Sequence, residues 1–231
     1  MSIVAPETLP AGVYSPDFNE FEAATSQLLP ELARQTLQQL KPEQIALNNK
    51  WHPSGAFMVH QVINQEIGFT GEPSGVQLRV HFWPSPTMYI SRPHQHPWHM
   101  GVLQFGTSLE YRPKVGLDTL GNANLRRVQY PTGEDTRAIV EDIGPATAEY
   151  GRPLRYVSGL YHSLPAGEYH ASNSPTNPYI SVTLMGPRQV DSSYFLEYPN
   201  EPTPKLLGNL SLADLKQFWG AVQVAKTRSK H

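Results

Sequence analysis

The chain has 231 residues, of which 39% are hydrophobic and 16% charged, and its net charge is near −2. This is the make-up of an ordinary globular protein, and without a clustered Lys/Arg footprint no nucleic-acid partner is expected. There is no cysteine, which excludes a disulfide scaffold, a thiolate metal site and a cysteine nucleophile.

In chain order, residues 1–16 read as an extended lead-in. Met1–Glu7 lacks the basic stretch and apolar run of a signal peptide. No window approaches the ~20 apolar residues of a membrane span. The expectation is a soluble cytoplasmic protein with no membrane partner. Ser15-Pro16 offers a helix N-cap followed by proline at the first helical position. Phe18, Phe21, Leu28, Leu32 and Leu40 then predict amphipathic helix over 17–50, broken at Pro30 and Pro42.

From about 56 to 188 the apolar period falls to two. Val76, Leu78, Val80 and Phe82 share one face of a strand, with Arg79, His81 and Trp83 on the other. Met100–Tyr111, Leu125–Tyr130, Arg155–Leu160 and Tyr179–Met185 also read as strands, separated by Gly, Pro and Asn turns. Ser211 with Asp214 makes a capping box, and Leu212, Leu215, Phe218, Trp219 and Val222 give a helical stripe over 211–226. Helices, a block of strands and a last helix predict one mainly β domain over 1–231, a decorated jelly roll or barrel.

Of the nine histidines, three stand within Pro93-His94-Gln95-His96-Pro97-Trp98-His99. Alternate strand residues share a face, so His94 and His96 can reach one ion together. Alone, such a pair is as much at home in a core or on a surface. A second segment adds weight: Pro165-Ala166-Gly167-Glu168-Tyr169-His170 puts a tight turn before a histidine and would aim His170 back into the barrel.

With both segments read together, the chain resembles the cupin superfamily. Its second motif is matched at Gly159, Pro165, Gly167 and His170, with Asn173 one residue early; its first is matched at His94, His96 and Gly106. Met88 stands where the first motif has a leading glycine, and His99 where it has a glutamate. The resemblance implies a cupin-type jelly roll with metal ligands His94, His96 and His170; His99 is a fourth ligand, a neighbour of the ion or of substrate, or a plain packed histidine. Among cupins the chain is most similar to the cysteine dioxygenase-like thiol dioxygenases, which hold iron(II) with three histidines. That group carries a Ser-x-His-x-Tyr run on the strand matched here by Ser181, Thr183 and Met185, so only the serine is retained.

A histidine site without cysteine suits iron(II), with nickel, zinc, copper or manganese as other candidates. The resemblance turns the face of Tyr179, Ser181, Thr183 and Met185 toward the site, where these residues would meet substrate. Arg79 and His81 are further substrate-binding candidates, and Tyr161, His162 and Arg92 catalytic ones. Either Arg79 or Arg92 could grip a carboxylate bidentately; a solvated barrel arginine is the plainer role for both, and packing the plainer role for Tyr161 and Trp98. The reading that follows is an iron(II)-dependent oxygenase with a small organic molecule and O2 as its partners. A metal-dependent isomerase or lyase without redox chemistry and a non-catalytic metal-binding cupin are the alternatives. Jelly rolls often pair through their outer sheets, so a homodimer is one expectation, although no patch in the sequence marks an interface.

Overall fold

A computed structural model describes residues 9–47, 49–51, 58–64, 75–84, 91–129, 139–173, 178–199 and 210–228. Met88 lies outside them, as does the start of the lead-in; the rest of the lead-in contains a 3-10 turn at Ala11–Tyr14. Two helices follow, α1 (Phe18–Gln39) and α2 (Pro42–Leu47). The cap of α1 is Asp17 rather than Ser15: its carboxylate accepts the N–H groups of Asn19 (2.8 Å) and Glu20 (3.0 Å). Pro30 does not break the helix. It sits on the exposed side, while a buried stripe from Phe21 through Leu29 and Leu32 to Leu37 holds both halves against the sheet. That packing overrides the cost of a mid-helix proline, ~3 kcal/mol. Pro42 opens α2, where its missing N–H has no helical partner to lose.

The strands come in chain order as β1 (Asn49–Trp51), β2 (Met58–Asn64), β3 (Gln77–Trp83), β4 (Trp98–Phe105), β5 (Ser108–Tyr111), β6 (Lys114–Leu117) and β7 (Ala123–Gln129). They continue with β8 (Ile139–Glu149), β9 (Leu154–Tyr156), β10 (Tyr161–Leu164), β11 (Ala171–Asn173), β12 (Tyr179–Arg188) and β13 (Ser192–Glu197), and α3 (Leu212–Arg228) closes the chain. The predicted run Met100–Tyr111 divides at Gly106, where a Cβ would stand 2.2 Å from Cβ of Tyr179; only glycine lets the two segments approach that closely. The barrel also runs past residue 188, because Phe195 bridges to His94. At α3 the capping box forms reciprocally, Asp214 N–H to Ser211 Oγ (3.2 Å) and Ser211 N–H to Asp214 Oδ2 (3.1 Å).

All described pairings are antiparallel. A six-stranded sheet has the order β1-β2-β3-β12-β4-β10, a three-stranded sheet β11-β5-β9, and a four-stranded sheet β13-β7-β8-β6. The result is a mainly β barrel of curled antiparallel sheets with helices before and after it, the jelly-roll architecture that the sequence motifs imply. One face of the six-stranded sheet is dry: Leu78, Val80, Phe82, Leu103, Phe105, Ile180, Val182 and Leu184 pack beneath α1 and α3. The other face looks into the barrel. Among the described residues, no helix is long and apolar enough to cross a membrane.

Candidate metal centre

Backbone pairing brings the two histidine segments together. His94 and His170 exchange both main-chain hydrogen bonds at 3.0 Å, the hydrogen-bonded antiparallel pairing that puts the two residues directly opposite each other. Gly167 has φ +79°, a left-handed turn conformation that glycine adopts without strain, and its N–H donates to the carbonyl of His96 (2.9 Å). The turn before His170 is thereby fastened to the segment before β4 that carries the other two rings. Ring centroids lie 4.8 Å apart for His94 and His96, 4.3 Å for His94 and His170, and 5.0 Å for His96 and His170.

One nitrogen from each of the three rings falls within 4.8 Å of the others, so the group could hold a metal ion. Hydrogen bonds also fix which nitrogen of two of the rings is engaged. His94 Nδ1 lies 2.7 Å from the carbonyl oxygen of Arg92, and His170 Nδ1 lies 3.2 Å from Oε1 of Glu110. Since both oxygens can only accept, both rings carry their proton on Nδ1. Nε2 of His170 is buried with no protein partner. Burial, reinforced by the neighbouring His170, pulls the pKa of His94 down to about 3, so its ring is neutral as a ligand must be.

The three rings open on a cavity of about 520 Å3, a figure that includes its solvent-filled mouth. From β3 come Arg79, His81 and Trp83; from β4, Met100, Val102 and Gln104; from β10, His162 and Leu164; from β12, Tyr179, Ser181, Thr183 and Met185. Glu110 and Ser172 line it from the facing sheet. Burial first, then the charge of Arg79, lowers His81 to about 3, while burial lowers His162 to about 4. Tyr179 stacks on Trp83 with centroids 5.5 Å apart, and Arg79 lies over the ring of Trp98, 5.7 Å from its centroid. Oε1 of Gln104 and Nδ1 of His162 are buried without a protein partner, which leaves both for a bound molecule.

Three of the candidate residues stand elsewhere. His99 is not one of the three histidines whose nitrogens come together. Alternation along β4 turns it to the helix side, where its Nδ1 accepts the N–H of Ala166 (2.9 Å) and its Nε2 meets the carbonyl of Pro16 (3.0 Å). Its ring also packs on Phe18 and Phe21 of α1. Tyr161 precedes His162 on β10 and so faces the other way, with its hydroxyl 2.7 Å from that of Thr25. The side chain of Arg92 is not among the lining residues; only its carbonyl reaches the site.

Glu110, Gln104 and Ser172 are the polar lining residues that sequence reasoning missed, beside the apolar Trp83, Met100, Val102 and Leu164. The period of β4 carries a signal for Gln104, which shares the face of Met100 and Val102. Glu110 is a lone acidic residue in a short strand, a pattern that ordinarily marks a solvated edge. In the fold it is only 3% exposed. Burial pushes its carboxyl up, but the His170 ring beside it, with His162 and Arg112, outweighs this and holds it down at about 2.

No family model matches the chain, and no curated protein sequence does. Solved structures with a similar fold include the polyketide cyclase RemF from Streptomyces resistomycificus, at 12% identity and TM-score 0.34 over 64% of this chain and 75% of that one. DMSP lyase DddQ from Ruegeria pomeroyi DSS-3 has 15% identity and TM-score 0.34 over 64% of this chain and 54% of its own. A Bacillus subtilis oxalate decarboxylase has 11% identity and TM-score 0.34 over 62% and 28% respectively. The chain therefore spans about half of the lyase and about a quarter of the decarboxylase. Likeness this distant says nothing of substrate or reaction.

Proposed function

We propose that this chain is a cupin-type metalloenzyme, a non-haem iron(II)-dependent oxygenase similar in kind to the three-histidine thiol dioxygenases, acting on a small carboxylate-bearing organic molecule. The observation that supports it is the convergence of three imidazoles at one wall of an otherwise largely apolar cavity that also contains a guanidinium. His94, His96 and His170 would hold the iron, which when bound supplies the means to activate oxygen. A set of only three protein ligands would leave room at the ion for a small molecule.

The chain's own residues do the rest. Arg79, fixed over Trp98 and hydrogen-bonded to Gln77, offers a forked donor for a carboxylate. Trp83, Met100, Val102, Leu164 and Met185 exclude water from the carbon skeleton. His162, neutral and with Nδ1 unengaged, can take a proton from bound substrate. The absence of cysteine, and Thr183 and Met185 in place of histidine and tyrosine, favour a substrate other than free cysteine.

The test is oxygen uptake by metal-stripped protein reloaded with iron(II), measured across a panel of small carboxylic acids. Uptake that needs both iron(II) and one of the acids supports the reading. Sustained turnover under strict anaerobiosis overturns it. That result would instead favour proton-transfer chemistry, an isomerase or lyase in which the metal is a Lewis acid, for which the same unengaged His162 is the supporting observation.

A further inference from the structure

We propose that Glu110 is the positioning residue of the metal centre: standing behind His170 rather than beside the ion, it fixes that imidazole with Nε2 toward the metal and sets a buried negative charge one hydrogen bond outside the ligands. The inference rests on the metal reading above and adds the group that tunes it.

An ionised carboxylate is costly to bury unless its oxygens are engaged. Glu110 meets that condition on three sides. Oε1 accepts from Nδ1 of His170 (3.2 Å), Oε2 accepts from Oγ of Ser172 (2.7 Å), and Nε of Arg112 lies 3.6 Å from Oε1. Arg112 has other work, since it also pairs with Glu168 and donates to the carbonyl of Ser163 (3.3 Å). Ser172 is itself located by its N–H, which donates to Oγ of Ser91 (2.7 Å). The carboxylate is thus held in place from β5 and β11 independently of any ion. To become a ligand it would have to leave all three partners.

The two rings with assigned tautomers are not oriented equally. His94 leans on a peptide carbonyl, a neutral acceptor, whereas His170 leans on a full charge. A carboxylate behind an imidazole raises the basicity of its far nitrogen and locks the ring's rotation, and loss of such an outer partner typically weakens metal binding ~10- to 100-fold. The resemblance places a cupin glutamate among the ligands themselves. In this chain His99 occupies that sequence position and turns away, while Glu110 supplies a negative charge from the neighbouring strand, one shell further out.

Two measurements test this. The first needs no variant: long-range 1H–15N correlation spectra of the wild-type protein without metal report each histidine's tautomer. His170 protonated on Nδ1 is the expected result, and His170 protonated on Nε2 overturns the inference. The second is a cobalt(II) titration of metal-stripped wild type, Glu110→Gln and Ser172→Ala, followed by the visible ligand-field bands. Glu110→Gln keeps the shape and removes the charge. It is expected to bind ~10- to 100-fold more weakly with shifted bands, and Ser172→Ala to fall in between. Unchanged affinity and bands in Glu110→Gln overturn the inference and leave the metal site standing. An oxygen donor seen by X-ray absorption in the wild-type cobalt protein and lost in Glu110→Gln would make Glu110 a ligand, which also overturns it. Wild type that binds no cobalt(II) brings down the metal reading itself, and this inference with it.

Discussion

The two faces of the six-stranded sheet are built from the same strands and meet opposite fates. On β4, Met100, Val102 and Gln104 look into the cavity, while His99, Gly101, Leu103 and Phe105 look toward the helices. On β12, Tyr179, Ser181, Thr183 and Met185 line the cavity, while Ile180, Val182 and Leu184 join the dry core. A single step along a strand therefore moves a side chain from chemistry to packing. Two histidines make the point: His99 and His170 are equally inaccessible, at 7% exposed each. Yet both nitrogens of His99 are taken by the main chain, whereas His170 keeps Nε2 open. Burial alone does not separate a structural histidine from a ligand; the count of its engaged nitrogens does.

The largest effect that would sharpen this contrast lies on the dry face. Phe218 of α3 is fully buried and stacks on Phe82, with centroids 5.4 Å apart. Phe218→Ala should cost about 3–5 kcal/mol in a denaturant titration. At temperatures where the variant stays folded, cobalt(II) affinity should match wild type. A large fall in affinity in the folded variant would show that the faces are coupled. On the cavity side, His96→Ala removes a half-buried ring and should leave stability nearly unchanged. Its metal affinity should fall by more than the ~100-fold that outer partners reach, as read by the same titration.

Much of the cavity face was legible in the sequence because period two needs no knowledge of partners. Arg79 with His81, and Tyr179 with Ser181, Thr183 and Met185, were grouped correctly by alternation alone, and the turn at Pro165–Gly167 has the chemistry its shape demands. What failed was parity across a break. Counting back from Gly106 by a family spacing put His99 beside the ion, but alternation with Met100 and Val102 puts it opposite them. Tyr161, for which packing was the plainer role, stands on the opposite face from His162 by the same alternation. Glu110 was illegible for another reason: its burial depends on His170 and Ser172, which come from one distant segment of the chain, and no local pattern encodes that meeting. Pro30 looked like a helix end because a proline's local cost is visible in sequence, whereas the buried stripe that outweighs it becomes countable only once the sheet is in place.

His99→Ala tests the parity argument directly. It strands the N–H of Ala166 and the carbonyl of Pro16, each of which loses its imidazole partner. The expected cost is about 1–3 kcal/mol of stability for the unmet backbone groups, with cobalt(II) affinity within twofold of wild type. Loss of a ligand-field band in this variant would return His99 to the metal and break the contrast between the two faces.

The smallest expected effect is the most discriminating, because it compares neighbours on one strand. Tyr161 and His162 are adjacent on β10, one toward α1 and one into the cavity. Tyr161→Phe removes only the hydroxyl, which is shared with Thr25 at 2.7 Å. Thr25 keeps its bond to the carbonyl of Phe21 at 2.7 Å, so no buried group is left wholly unmet. The cost should therefore sit at about 0.5–1.5 kcal/mol, the net value of one internal hydrogen bond. Turnover and metal affinity should not move, because the ring and its packing against α1 remain. His162→Phe, by contrast, keeps a flat ring against Tyr156 and removes the one unengaged nitrogen on this strand, so it should leave metal affinity intact and depress turnover. If both variants lost turnover alike, the strand would be acting through its shape, and the proton-acceptor role assigned to His162 would fall.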